Sequence, residues 1–187
     1  MQQKKLNKES LRLIKAINEA TTKLFKLNQG LLLISKIENQ AFHEKKVLSL
    51  RKILESSLEN YTEILQLKKI KVELDLTDSA MVEMNDVLAE VMISNLLSNA
   101  VRFNTDNGFI KCHIDKNSLV ITNPGPSMTV DPEFLFRRFH KGSDNPHSVG
   151  LGLSIVKKIT DTYGMTITYT CKDSIHEISL RFRRNNH

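Results

Sequence analysis

The sequence predicts an α+β fold, in which one long N-terminal helix precedes a mixed sheet covered by helices on one face. Three observations carry this. Residues 6–40 hold a single Gly and no Pro, and repeat apolar residues at helical spacing. A second helical pattern, VLAEVMISNLLSNAVRF, lies between runs that alternate apolar and polar residues. The chain closes on LGLSIVKKITDTYG, helical in pattern, followed by the strand-like MTITYTC and EISLRFR. With 187 residues, 40% of them apolar, it can form one domain plus an appendage.

In the first helix Leu13, Ile17, Leu24, Leu27, Leu31 and Ile34 form a long, narrow stripe, with Gly30 inside it. The last four recur at steps of three, four and three, the seam of a helix that packs on another helix. A lone helix of this length is marginal in water, so the seam predicts a partner, either a second copy or a segment outside this sequence. After a break at NQAFHEKK, residues 48–67 are expected to be helical. KIKVELDL, where Ile70, Val72 and Leu74 alternate, predicts a strand, and AMVEM a further short one. GFIKCHID and SLVITN flank a polar DKN turn and predict a hairpin. All four prolines fall in NPGPSMTVDPEFLFRRFHKGSDNPHSVG, a loose segment with a short helix expected at PEFLFRRF.

Composition narrows the function. Lys and Arg outnumber acids 27 to 21, but the excess is spread over helices and chain ends, as in solvated faces. Without Trp or a basic, aromatic-interleaved pattern, nucleic acid is not expected as a partner. Cys112 and Cys171 lack metal-ligand spacing and are expected as buried, reduced thiols. No apolar run is long enough to span a membrane and MQQKKLNKES is no signal peptide. A cytoplasmic location is expected, with a membrane anchor elsewhere in a parent protein left open.

The helix around SNLLSNAVRFN poses the chemical question. Ile93, Leu96, Leu97, Ala100 and Val101 make one apolar face, and Asn95, Asn99 and Arg102 line up opposite. Val91, Met92 and Phe103 flank this polar stripe, so it is expected to be covered. Covered amides need partners. One Asn would be satisfied by loop backbone or water; two with a guanidinium favour an anionic ligand, with a metal. Two glycine segments, NPGPS and SVGLGLSIV, bound the loose stretch. The second opens into a helix, where free N–H groups suit phosphate.

In order, NLLSNAVRF, ITNPGPSM, FLFRRFHKG and GLGLSIV resemble the N box, first glycine box, F box and second glycine box of sensor histidine kinases. These belong to the GHKL, or Bergerat-type, ATP-binding fold, a two-layer α/β sandwich. The resemblance spans roughly residues 48–184. Upstream, LNQGLLLISKIENQAF resembles the second helix of the dimerisation and histidine-phosphotransfer domain. It therefore implies two regions: residues 1–43, a remnant of that helix with its linker, and 44–187, the catalytic domain.

The resemblance assigns roles. Asn99 would give its amide oxygen to Mg²⁺ on the phosphates of ATP, with Asn95 one turn earlier and Arg102 neutralising charge. Phe103 would pack near the nucleoside, Asn123 would accept from the base, Lys141 would reach the phosphates, and Gly125, Met128, Gly150, Leu151, Gly152 and Leu153 would also contact the nucleotide. Relatives that hydrolyse ATP carry a Glu at the place of Asn95; the missing base favours transfer to a histidine. Implied partners are ATP, an acceptor-histidine domain, a response regulator reached through the parent, and a second copy through the N-terminal helix.

The sequence departs from the pattern in places. Asn123 replaces the usual Asp, Ser127 a second Gly, and Ser148 an earlier Gly. None of His43, His113, His140, His147, His176 and His187 lies in an acidic, proline-bearing acceptor box, so each is expected as a surface or strand histidine. The fragment is not expected to phosphorylate itself. Packing alone would account for Phe136, Phe139, Leu151 and Leu153, and solvent for Arg137 and Arg138. Two alternatives stay open: a nucleotide-binding module without kinase activity, and a GHKL serine kinase of the anti-sigma type.

Overall fold

The computed structural model describes residues 8–77, 80–128, 130–140 and 150–182. Helix α1 runs Lys8–Glu38 and is followed by strand β1, Lys46–Ser49. Helices α2, Leu50–Glu59, and α3, Thr62–Leu67, lead to strands β2, Lys71–Leu76, and β3, Met81–Met84. Helix α4, Asp86–Arg102, precedes the hairpin β4, Phe109–Ile114, and β5, Ser118–Pro124. A 3-10 turn at Pro132–Phe136, helix α5, Gly152–Thr162, and strands β6, Thr166–Lys172, and β7, Ile175–Arg181, complete the order.

Five strands form one mixed sheet in the order β2-β4-β5-β7-β6. Only the β2–β4 pair among these is parallel, and β3 and α4 lie in the connection between its two strands. β4, β5 and β7 alternate buried and less buried residues, so Ile110, Cys112, Ile114, Leu119, Ile121, Ile178 and Leu180 point inward. Against them lies α4, whose Leu88, Met92, Ile93, Leu96 and Leu97 are fully covered. Each such side chain contributes about 1.5–3 kcal/mol relative to exposure, which makes α4 the centre of the core. Helices α2 and α5 flank it.

Local chemistry sets the entry to α4. Asn85 caps it by accepting from the Leu88 N–H at 3.2 Å, while its amide donates to the Glu44 carbonyl and its backbone N–H to the Tyr163 hydroxyl. This one cap ties three segments together.

The helix expected over 48–67 is interrupted twice. Residues 46–49 form β1, antiparallel to β3, and Ser49 then caps α2. Asn60 and Tyr61 end α2 before α3 begins. The seam of α1 also divides: Gly30, Ile34 and Ile37 are buried against the domain, Leu27 is half-buried, and Leu13, Ile17 and Leu24 are exposed. Met92 lies in the core rather than beside the polar stripe, and Phe139, expected to anchor in the core, is 54% exposed. Cys112 is buried, its thiol pushed up to about 12 by desolvation, and Cys171 is half-buried. No helix among the described residues is long and apolar enough to cross a membrane.

Candidate functional site

The polar stripe of α4 faces a cavity of about 280 Å³ between α4, the start of α5 and the end of the sheet formed by β5, β7 and β6. Asn95, Ser98, Asn99, Arg102 and Phe103 line it from α4 and its C-cap, and Gly150, Leu151, Gly152 and Leu153 from the start of α5. Asn123 and Met128, also expected at the site, line it too. Lys141 and Ser148 lie outside the described residues.

Each contact has a local cause. Asn95 donates from Nδ2 to the Val91 carbonyl at 2.8 Å, which fixes its amide. A Cβ on Gly152 would lie 2.9 Å from Asn95 Oδ1, so glycine lets the start of α5 approach α4. Gly150 has φ +74°, a conformation that disfavours other residues, and its carbonyl accepts from the Phe139 N–H at 2.9 Å. That bond joins Phe139 directly to Gly150. The first N–H groups of α5, which no side chain caps, open at this wall.

Asn99 is half-buried, and its side chain has no hydrogen-bond partner among the described residues. Asn123 is buried and donates from Nδ2 to the Pro124 carbonyl at 2.9 Å, which turns the amide so that Oδ1 is left as an acceptor. Gly125 does not line the cavity but stands behind its wall. A Cβ there would lie 2.6 Å from both the Phe103 carbonyl and His176 Nε2. Leu151 and Leu153 pack against the core and line the cavity at once, joining the two readings of them. Arg138 pairs with Glu38 at 2.8 Å, and the Arg137 guanidinium lies over the Phe134 ring at 4.3 Å.

Sequence reasoning missed several lining residues. Lys26 reaches the cavity from α1, and His140, Tyr169 and His176 border it. His176, expected as a surface or strand histidine, is a strand residue but buried: 5% exposed, it is held below the usual imidazole range by desolvation. The described lining holds two cations, Lys26 and Arg102, and no carboxylate. A cavity with that charge and a helix N-terminus at one wall accepts an anion. No group of three or more His, Cys, Asp and Glu side chains able to hold a metal occurs among the described residues. An ion here would take an amide oxygen and the ligand's own oxygens, a donor set that suits Mg²⁺.

A mixed sheet beneath three helices, with an anion cavity between a polar helix stripe and a glycine-opened helix, is the arrangement of a nucleotide-binding domain. Residues 84–184 match the histidine kinase-, DNA gyrase B- and HSP90-like ATPase family, and the chain belongs to it. Its ATPase domain takes a nucleotide. Among similar proteins, the sensor histidine kinase HprS of Escherichia coli is 31% identical over 159 residues, covering 81% of this chain and 34% of that protein. The heme sensor protein HssS of Staphylococcus saprophyticus is 30% identical over 161 residues, 83% of this chain and 35% of that one. The chain thus spans about a third of the length of these relatives. In fold it matches the histidine kinase AdeS of Acinetobacter baumannii with a TM-score of 0.72 at 22% identity, over 98% of this chain and 88% of that one. The catalytic domain of the histidine kinase ThkA matches with a TM-score of 0.64 at 21% identity, over 74% and 95%.

Proposed function

We propose that the chain is the ATP-binding catalytic portion of a two-component protein-histidine kinase, which transfers the γ-phosphoryl group of Mg-ATP to a histidine of an acceptor domain. From there a response-regulator aspartate would receive it. The observation that carries this reading is the composition of the cavity: three amides and two cations, without a carboxylate among its described lining. A site built for hydrolysis needs a general base to activate water. A neutral imidazole acceptor is already nucleophilic and needs mainly orientation.

Asn99 Oδ1, unpartnered among the described residues, would hold Mg²⁺, which supplies charge neutralisation at the phosphates. Arg102, Lys26 and Lys141 would balance the remaining phosphate charge, and the first N–H groups of α5 would hold phosphate oxygens. Phe103, Met128 and Leu153 would pack on the nucleoside, with Asn123 Oδ1 accepting from the base. The exposed N-terminal half of α1 would pair with a second copy, and residues 1–43 and 44–187 would be the two functional regions.

Asn99→Ala tests the central assignment. Ala is the better helix former, so the fold should survive while Mg-ATP binds at least tenfold more weakly by calorimetry. Unchanged affinity and unchanged transfer to a supplied acceptor would remove Asn99 from the metal site.

A further inference from the structure

At the sheet end of the cavity the inward residues of three strands meet. Asn123 on β5 is paired in register with His176 on β7, which is paired in turn with Cys171 on β6, and Tyr169 lies two residues from Cys171 on the same face. Both ring nitrogens of His176 have a hydrogen-bond partner. Its Nε2 lies 3.0 Å from the Pro126 carbonyl, and its Nδ1 lies 2.8 Å from the Tyr169 hydroxyl. A carbonyl can only accept, so Nε2 carries the proton. Burial disfavours a second proton on the ring, and Nδ1 is then a bare acceptor. The Tyr169 hydroxyl must therefore donate to it. Its hydrogen is committed, and only oxygen lone pairs remain for anything in the cavity that Tyr169 borders. Asn123 Oδ1, at the same end, is also an acceptor.

We propose that Tyr169 is a base-specificity residue of the nucleotide site, an acceptor whose polarity His176 sets, selecting a base with an amine rather than an oxo group on the facing edge. This rests on the nucleotide reading above. An oxo group in that place would meet two acceptors and find no donor, whereas an amine offers hydrogens to both. His176 acts only through Tyr169 and is a positioning residue.

The test compares ATP with inosine triphosphate, in which an oxo group replaces the amine and N1 gains a hydrogen, on the full 187-residue chain with Mg²⁺ present. Wild-type protein should prefer ATP, and Tyr169→Phe should reduce the ratio of the two affinities roughly five- to tenfold, the worth of one hydrogen bond. Melting curves establish that the variant is folded. His176→Gln, which supplies one donor and one acceptor, should retain more of the ratio than His176→Phe, a rescue that bulk alone would not produce. Equal affinity of the wild type for the two nucleotides, a measurement that needs no variant, would overturn the proposal. So would an ATP preference that Tyr169→Phe leaves intact. If wild-type protein binds neither nucleotide, the nucleotide reading itself fails, and with it this inference.

Discussion

Asn123 is held by a hydrogen bond that a carboxylate cannot make. Its Nδ2 donates to the neighbouring Pro124 carbonyl, so Asn123→Asp, which restores the family's usual residue, would set a carboxylate oxygen against a carbonyl oxygen. The side chain is 6% exposed, and the loss of a buried bond together with burial of a charge destabilises by about 1–3 kcal/mol. The melting temperature of Asn123→Asp should fall by several degrees. An unchanged or higher value would show that the wall relaxes around the charge. Asn95 and Asn99 were legible in the sequence because the helical repeat that aligns them is local. Tyr169 and His176 were not. Their link depends on strand pairing and on a carbonyl fifty residues away in sequence, and in isolation each is an ordinary strand residue. Lys26 was equally hidden, since a Lys on a polar helix face is normally solvated.

At the scale of elements, α1 docks through its C-terminal half alone. Glu38 pairs with Arg138 at 2.8 Å and Lys158 at 3.5 Å, but these are surface contacts worth about 0–1 kcal/mol. The docking energy comes from Ile34 and Ile37, 2% and 3% exposed, and from the closeness that Gly30 permits. A Cβ on Gly30 would lie 2.8 Å from Leu151 Cδ1, the far end of a flexible side chain that also lines the cavity. Gly30→Ala should be nearly neutral: the gain in helix propensity, about 1 kcal/mol, offsets a small displacement of Leu151. Gly30→Leu cannot be accommodated in that way and should separate α1 from α5. Hydrogen exchange would then speed up along residues 8–38 and nucleotide affinity would change, while the sheet stays protected. Exchange in α1 equal to that of the wild type would refute the seam. The periodicity of α1 identified the helix and its packing stripe, but it could not assign α5 as the partner of one half. β1 escaped for a related reason. KVLS reads as the first turn of the helix that follows it, and only the ladder with β3, more than thirty residues later, makes it a strand.

Across the whole molecule, the cavity assembles from residues as far apart as Lys26 and Ile178, so it exists only in the folded chain. A ligand that binds there alone stabilises the fold by mass action, by about 2.7 kcal/mol at a hundred times its dissociation constant. Mg-ATP should accordingly raise the melting temperature. Transfer is a separate matter, because it needs a nucleophile in line with the γ-phosphate. Of the six histidines, His140 and His176 are the described ones that border the cavity. His176 spends both ring nitrogens on Pro126 and Tyr169, and His140 sits edge-on to Phe134 with ring centroids 5.8 Å apart. Neither lies in an acceptor-like sequence. The purified chain should therefore be protected by Mg-ATP yet incorporate no γ-phosphate into itself. Supplying an acceptor-histidine hairpin in trans should produce slow labelling, slow because tethering and orientation are absent, and the label should be lost in acid as expected of phosphohistidine. Radiolabel incorporation with and without the hairpin measures this, with His140→Gln as a control for reaction inside the cavity. Stoichiometric, acid-labile labelling of the chain alone would overturn the expectation, and its disappearance in His140→Gln would place the acceptor at the cavity wall.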